Sequence, residues 1–346
     1  MDVAILTLNC AKSKQSLKKF AKLVTESLPA ESPGLFVVGL QEVAPIIAAS
    51  FKDLNAYMEP IRRAIVSALA KKYSGVQFSL VADSWSGAIG VMVYAQRSRT
   101  IRDVKTASTT FGRFWSSVKS AAAVRLEVDS TTFTFVTTHL AANEGYAQDR
   151  NRDYAILANG LRFKGEPMYV YGPNHHLFVF GDLNYRSLRQ QGDGGSEAIG
   201  MLVSNYDPAI DELHIEKAAG NTLWGLTEAP INFEPTFKFV LGTSDYDLKR
   251  TPSWCDRILY SDVNSHVSEY SSVPDYLESD HKPVYLHVTV SESAPLQVRV
   301  PSAPYVTKNF SDASDKVVGS ALYLGTTKVG WFILVLLVLL GLYMVT

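Results

Sequence analysis

The chain has 346 residues, of which 47% are hydrophobic and 19% charged, so intrinsic disorder is excluded and one large domain or two modest domains are expected. Lys and Arg total 33 and Asp and Glu total 34, a formal net charge of -1, which argues against a protein that coats duplex nucleic acid. The two cysteines, Cys10 and Cys255, are far apart in sequence. A disulfide framework and a structural zinc site are therefore not expected, and a reducing cytosol is the natural setting.

Short apolar runs rich in Val, Ile and Phe predict β-strands. In chain order they cover residues 3–8, 35–40, 89–94, 132–138, 177–180 and 284–290. Apolar residues at helical spacing predict helices near residues 17–28, 61–69 and 154–161. Strands separated by helices, with several strands in direct succession, indicate packed sheets with helices outside. Periodicity leaves the choice between α/β and α+β open.

After the globular unit of residues 1–290 the composition changes. Residues 291–314 are rich in Ser, Pro and Ala with few large apolar side chains, and Pro295, Pro301 and Pro304 disfavour a helix. We therefore expect an extended tether, taken to run over residues 291–323.

The last segment, residues 324–346, is expected to be a transmembrane anchor. Residues 329–345 carry no charge, and at 1.5 Å per residue they reach roughly 26 Å, close to the thin hydrocarbon core of the endoplasmic reticulum. The alternative is a buried C-terminal helix, but this stretch is apolar on every face and leaves no polar stripe for solvent. Because only Thr346 follows, we expect insertion after translation, with the rest of the chain in the cytosol.

Polar side chains stand at one end of each predicted strand. They are Asn9, Gln41, Glu42, His139, Asp182 and Asn184 after strands, and Asp256, Arg257, Asp280 and His281 before strands. Each alone is compatible with a turn residue, a solvated loop or a core histidine. If the ends share one rim, they form a cleft of at least four carboxylates and two histidines. Carboxylate-rich sites of this kind suit Mg²⁺ or Ca²⁺.

Two motifs resemble the signature sequences of the inositol polyphosphate 5-phosphatases. They are GDLNYR at residues 181–186 and PSWCDRIL at residues 252–259. Supporting matches follow in the family's order at residues 40–42, 139–142, 150–154, 233–238 and 279–284. The resemblance covers residues 3–290, and with the anchor the chain is similar to small tail-anchored fungal members of the endoplasmic reticulum.

The resemblance implies a fold and an activity. The fold is the four-layer sandwich of the deoxyribonuclease I and endonuclease/exonuclease/phosphatase type, with two mixed β-sheets flanked by helices. The activity is Mg²⁺-dependent hydrolysis of the 5-phosphate of phosphatidylinositol 4,5-bisphosphate to the 4-phosphate lipid. The expected partners are the lipid substrate and the membrane, with no nucleic acid and no obligate protein partner.

The resemblance also implies roles for individual residues. Glu42 is the expected principal metal ligand, with Asn9 and Asp280 nearby. Asp182, assisted by Asn184, is expected to orient and deprotonate the attacking water. His281, polarised by Asp256, and His139 are expected to contact the phosphoryl group. Whether Asp182 or His281 is the general base stays open.

Basic residues are expected to select the substrate. The expected contacts are Lys238 to the neighbouring ring phosphate, Lys249 and Arg250 beside it, Lys119 to the 1-phosphate, and Arg257. Family members often carry Gly-Asn-Lys-Gly where this chain has Val118 to Ala121, so the shape of the Lys119 loop is a departure. Three aromatics before it, Phe111, Phe114 and Trp115, are expected to reach lipid.

Other functions remain as alternatives. A soluble inositol polyphosphate 5-phosphatase, a Mg²⁺-dependent nuclease and a sphingomyelinase-type phosphodiesterase would use the same fold. A catalytically inactive lipid-binding tether is a further alternative, but it would be expected to lack a ligand or a base.

Overall fold

The computed structural model describes residues 1–51, 54–169, 174–188, 205–261, 265–291, 298–306 and 308–345, with the side chains of 308 and 339–345 left aside. The strands are β1 (Asp2–Asn9), β2 (Leu35–Gln41), β3 (Phe78–Ser86), β4 (Ile89–Gln96), β5 (Ile101–Thr110), β6 (Ser120–Val128), β7 (Thr131–His139), β8 (Arg162–Phe163), β9 (Glu166–Pro167), β10 (His175–Asp182), β11 (Asp256–Tyr260), β12 (His266–Ser272) and β13 (Val284–Thr289). The helices are α1 (Leu17–Ser27), α2 (Ile46–Ser50), α3 (Asn55–Lys72), α4 (Ala147–Gly160), α5 (Glu212–Ala218), α6 (Lys308–Thr326) and α7 (Lys328–Val345), with one 3-10 turn at Arg113–Trp115.

Two mixed sheets form the centre of the fold. The first has the order β12-β13-β1-β2-β4-β3, and the second has the order β11-β10-β7-β6-β5. In the first sheet β1 is parallel to β2 and antiparallel to β13. In the second sheet β10 is parallel to β7 and antiparallel to β11. Parallel neighbours end at the same edge, where their antiparallel partners begin.

The layers follow from where the apolar side chains lie. One buried cluster, which includes Val37, Val93, Phe135 and Phe180, fills the space between the two sheets. Apolar residues of α1 and α3 cover the outer face of the first sheet. Residues of α4 cover the outer face of the second. The predicted four-layer sandwich is therefore confirmed, and each strand or helix predicted from the apolar pattern coincides with an observed element.

The segment expected to be an extended tether is not extended throughout. Residues 298–306 have no regular secondary structure and lie along the body, where the Asn159 side chain donates to the Pro301 carbonyl at 2.8 Å. From Lys308 the chain is helical as α6, so the expectation of an extended tether is wrong there. The prolines do not oppose this helix because Pro304, the last of them, precedes it. Pro295 and Thr346 lie outside the described residues.

The C-terminal helices meet at a sharp bend. Within the described residues, no single helix is both long and apolar enough to cross a membrane. Asn309–Thr326 and Lys328–Val338 meet those criteria of length and composition only as a pair, and they are bent by 92° relative to one another.

Candidate active site

The strand ends bring the predicted polar residues to one rim. In the first sheet the register places Asn9 beside Gln41. In the second sheet Asp182 lies opposite His139 on one side and Asp256 on the other. The site therefore assembles at the carboxyl ends of the parallel strands, with each sheet contributing one wall.

Asp182 is the centre of this arrangement. The Asn9 side-chain amide donates to Asp182 Oδ2 at 2.9 Å across the two sheets. His139 Nε2 lies 3.2 Å and His281 Nε2 lies 3.9 Å from the same oxygen. Burial alone would raise the pKa of Asp182, but the two imidazoles hold that pKa well below its usual range. The carboxylate is therefore ionised and available as an acceptor.

The second carboxylate orients the histidine. His281 Nδ1 lies 2.8 Å from Asp256 Oδ2, which also accepts from the Thr236 hydroxyl at 2.7 Å. Burial opposes protonation of His281, but Asp256 and Asp182 outweigh it and raise the pKa of His281 to about 9. The Nε2–H of His281 is thus a donor that faces the cleft near Asp182.

The turn after β10 sets the direction of these groups. Gly181 has φ +136°, and a Cβ there would lie 2.1 Å from the Thr138 carbonyl oxygen, so only glycine fits. The Asn184 backbone N–H donates to Asp182 Oδ1 at 3.1 Å, and its side-chain amide donates to the Leu140 carbonyl at 3.2 Å. The turn thereby fixes both Asp182 and Asn184 beside His139.

A cavity of about 170 Å³ opens next to this cluster. Its lining includes Glu42, Lys12, Lys119 and His139, together with apolar residues of α2. Burial raises the pKa of Glu42, but His139 and Lys12, the latter at 3.2 Å, lower it overall. Burial lowers the pKa of Lys119 to about 8, and its ammonium contacts His139 Nε2. The cavity thus joins one ionised carboxylate to cationic groups, as an anionic substrate with a bound cation requires.

The donor set suits a hard divalent cation. Ligand atoms of Asp182, Asp256 and His281 lie within 4.8 Å of one another, and Asp256 Oδ1 is buried without a hydrogen-bond partner among the described residues. Glu42 adds an ionised oxygen ligand on the cavity side. Oxygen-rich sites of this kind fit Mg²⁺ or Ca²⁺ better than zinc.

The predicted metal ligands lie in different surroundings. Glu42 faces the cavity, as expected for a ligand. The Asn9 amide contacts Asp182, and its oxygen accepts from the Ala11 N–H at 3.0 Å. Asp280 Oδ2 lies 3.4 Å from the Lys238 ammonium. The compact cluster of Asp182, Asp256 and His281 therefore consists of residues predicted to be catalytic. Asp280 instead pairs with Lys238, which was predicted to bind the substrate.

The basic residues predicted to bind the substrate lie in three different places. Lys119 and Lys238 lie at the site, through their contacts with His139 and Asp280. Lys249 is exposed and Arg250 half-buried, in the loop that leads to β11. The expectation of a substrate contact for Arg257 is corrected, because its guanidinium is buried. Arg257 is held there by two carboxylates, Asp211 at 3.0 Å and Glu228 at 2.7 Å.

The three aromatics beside the Lys119 loop also differ. Phe111 is buried, Trp115 is half-buried and packs against the core under α4, and Phe114 is 69% exposed. Of the three, only Phe114 presents most of its ring to solvent, so the expectation of a lipid contact is kept for this residue alone.

Residues not singled out from the sequence complete the site. The Arg186 guanidinium donates to both oxygens of Asn184, with Nε 3.0 Å from the backbone carbonyl. Thr236 donates to Asp256, and Lys12 pairs with Glu42. Arg186 and Thr236 belong to matched motifs, but their roles depend on contacts across the fold that the linear sequence does not display.

Comparisons with known proteins identify the family and the fold. The sequence pattern of Endonuclease/Exonuclease/phosphatase family 2 matches residues 6–287. The inositol polyphosphate 5-phosphatase domain of SpSynaptojanin, solved with inositol (1,4)-bisphosphate and a calcium ion, is 28% identical with a TM-score of 0.71, and the match covers 93% of this chain and 89% of that chain. A Cimex nitrophorin, solved as a ferrous NO complex, is 21% identical with a TM-score of 0.61, over 83% of this chain and 97% of that chain, and shows the fold alone.

Curated relatives point to one branch of the family. Polyphosphatidylinositol phosphatase INP53 of Saccharomyces cerevisiae is 30% identical over 291 residues, which are 82% of this chain and 26% of the relative. Inositol-1,4,5-trisphosphate 5-phosphatase 1 of Schizosaccharomyces pombe is 32% identical over 281 residues, 76% of this chain and 25% of the relative. The chain thus spans about a quarter of the length of these relatives. It belongs to the inositol polyphosphate 5-phosphatases of Endonuclease/Exonuclease/phosphatase family 2.

Proposed function

We propose that the protein is a Mg²⁺-dependent phosphatase that removes the 5-phosphate of phosphatidylinositol 4,5-bisphosphate. The observation that carries the proposal is the placement of Asp182 between Asn9, His139 and His281. An ionised acceptor beside a cationic donor is the arrangement that attack of water on a phosphomonoester requires. The relatives, which include proteins named phosphatidylinositol 4,5-bisphosphate 5-phosphatases, support the substrate class.

Each residue has a defined task in this reaction. The Asp182 carboxylate accepts a hydrogen bond from the attacking water and takes its proton as the oxygen approaches phosphorus. His281, kept protonated by Asp256, donates to a nonbridging phosphoryl oxygen. His139, whose pKa is lowered by burial and by Lys119, contacts both Asp182 and the Lys119 ammonium and orients them toward the phosphoryl group. The bond between phosphorus and the ring oxygen then breaks, and the leaving oxygen gains a proton from solvent to become the ring hydroxyl.

Mg²⁺, when bound, supplies Lewis-acid stabilisation of the negative charge that develops on the phosphoryl and leaving oxygens. Glu42 would be the principal residue to hold it, with Asn9 and Asp280 as further candidates. The protein's own contribution is to keep Glu42 and Asp182 ionised, through lowered pKa values, and to bring Asp182 and His281 close together.

Substrate selection rests on the cations at the mouth of the site. Lys238 binds the neighbouring ring phosphate, and Lys119 binds on the side of the 1-phosphate. Lys249 and Arg250 add positive charge at the entrance. This arrangement suits an inositol ring with several phosphates, whereas the net charge of -1 gives little affinity for a nucleic-acid backbone.

The deciding experiment measures phosphate release by the full chain from phosphatidylinositol 4,5-bisphosphate in mixed micelles with Mg²⁺, with chromatographic identification of the lipid product. Asp182→Asn is expected to lower kcat by about 10²–10⁴-fold, because the carboxylate that takes the proton is lost. Asp129→Asn is the matched control, because Asp129 pairs with Arg99 at the surface.

Three outcomes would contradict the proposal. They are release that survives Asp182→Asn, a lipid product that keeps its 5-phosphate, and cleavage of DNA with no release from lipid. A kcat/KM for soluble inositol 1,4,5-trisphosphate equal to or above that for the micellar lipid would move the assignment to a soluble inositol polyphosphate phosphatase.

Membrane attachment is the second part of the proposal. Helix α7 anchors the protein in the endoplasmic reticulum membrane with the catalytic residues on the cytosolic face. Its support is the charge-free apolar run of residues 329–345 and the exposure of large apolar side chains such as Trp331, Phe332 and Leu337. Residues exposed in this density on a soluble surface would favour aggregation.

A further inference from the structure

Helix α6 is docked against the segments that border the catalytic cavity. It packs on α2 and on the 3-10 turn at Arg113–Trp115. At Gly319 the contact with α2 is so close that a Cβ would lie 2.5 Å from the Cβ of Ser50. Ser50 itself lines the cavity that contains Glu42 and Lys119. The helix therefore touches the wall of the site from outside.

Asp315 connects this helix to the loop that carries Lys119. The carboxylate is buried, and its Oδ1 accepts from the Ser117 backbone N–H at 2.6 Å. One residue earlier, the Ser314 hydroxyl donates to the Phe114 carbonyl. The two contacts tie α6 to both ends of the segment from Phe114 to Ser117.

The loop passes this constraint on to Lys119. The Gly112 N–H donates to the Lys119 carbonyl at 2.9 Å, and the Ser120 hydroxyl donates to the Ser117 carbonyl at 3.1 Å. Lys119 therefore lies in a closed turn, and Asp315 accepts from the Ser117 amide of that turn. The Lys119 ammonium then reaches His139.

We infer that Asp315 is a positioning residue of the active site: by holding the Ser117 amide, it fixes Lys119 where the substrate's phosphates bind. The inference rests on the proposed phosphatase function. The docked helix constrains this loop from outside, through the contacts of Asp315 and Ser314.

The first test is a double-mutant cycle with the full chain, using phosphatidylinositol 4,5-bisphosphate in mixed micelles with Mg²⁺. Asp315→Ala is expected to raise KM about tenfold with kcat within about threefold, since a displaced Lys119 weakens substrate binding. Asp315→Asn keeps an acceptor oxygen and is expected to recover most of the loss. In the Lys119→Met background Asp315→Ala is expected to have no further effect, because the two act through one contact.

The second test does not depend on activity. Hydrogen exchange at the Ser117 amide is expected to accelerate at least tenfold in Asp315→Ala, because its buried acceptor is gone. Gly319→Leu, which cannot keep the contact with Ser50, is expected to reproduce both the faster exchange and the higher KM. Gly325→Leu on the same helix is the matched control, because a Cβ there meets no atom within 4 Å.

The outcomes separate the two proposals. Wild-type protein that releases no phosphate would overturn the proposed function. If wild type is active, equal effects of Asp315→Ala with and without Lys119, or unchanged exchange at Ser117, would overturn the positioning role alone.

Discussion

Asp256 and Arg257 are adjacent in the sequence, but their side chains point to opposite faces of β11. Asp256 faces the cleft and orients His281, whereas Arg257 points away to Asp211 and Glu228. Alternation along a strand makes this separation unavoidable. A motif that contains both residues therefore combines a functional and a structural requirement, and only the first belongs to the reaction.

Asp153 is a further buried carboxylate close to the site, and its role is structural. Its Oδ2 accepts from the Ala141 N–H at 2.9 Å, and burial raises its pKa to about 7. The unfolded chain releases the same proton near pH 4, so the native state binds the extra proton between about pH 4 and 7. Stability contributed by this group therefore falls as the pH rises through that window.

Asp153→Asn removes this titration and keeps the acceptor for Ala141. Relative to wild type, the variant is expected to gain on the order of 3 kcal/mol in free energy of unfolding between pH 4 and pH 8. Urea unfolding of both proteins across that range, followed by tryptophan fluorescence in detergent, measures the difference. Parallel pH profiles for the two proteins would show that Asp153 has an ordinary pKa.

At the scale of elements, the turn after β10 is the most constrained part of the site. Gly181→Ala would place a methyl group against the Thr138 carbonyl, and β7 cannot move because it pairs with both β6 and β10. The expected loss is about 3–4 kcal/mol in free energy of unfolding, with strongly reduced activity because Asp182 follows directly.

Gly165→Ala supplies the comparison for that variant. Gly165 also has a positive φ, +96°, but a Cβ there has no neighbour within 4 Å. Only the backbone strain remains, so the expected loss is about 1–2 kcal/mol with normal activity. Equal losses in chemical denaturation for the two variants would mean that the close approach to Thr138 does not matter.

The sequence predicts strands well where both faces are buried. Strands β1, β2 and β10 are almost entirely buried and read as continuous apolar runs. The edge strands β3, β5 and β12 were not predicted, because half or more of their side chains are partly or fully exposed and their composition is mixed. Central β6 was also not predicted, because its first half is a run of Ala121 to Ala123 and its large apolar residues, Val124, Leu126 and Val128, alternate with charged ones.

The sequence also predicts part of the candidate site. Asp182, His139 and Asp256 stand at strand ends, so a periodic reading places them on one rim. The docking of Asp315 on Ser117 joins residues 198 positions apart, and no local pattern indicates it. The same holds for Arg257, whose partners Asp211 and Glu228 come from the segment between β10 and β11.

At the scale of the whole molecule, the bend between α6 and α7 would set the orientation of the site if α7 is the proposed membrane anchor. Helix α6 lies on the body beside the cavity, and the chain turns by 92° before α7. With α7 across a bilayer, α6 would run roughly parallel to the membrane plane.

Removal of α7 tests this relation. Full-length protein is expected to stay with the membranes after alkaline carbonate extraction, and a variant ending at Thr326 is expected in the supernatant, because its apolar run is gone. On vesicles containing phosphatidylinositol 4,5-bisphosphate the shortened protein should lose on the order of 10²-fold in rate at low lipid, since the anchor no longer concentrates it at the surface. In mixed micelles its kcat should match wild type, because α6 and the Asp315 contact remain. Release of the full-length protein by carbonate would exclude the anchor, and a matching loss in micelles would show that α7 acts on the site itself.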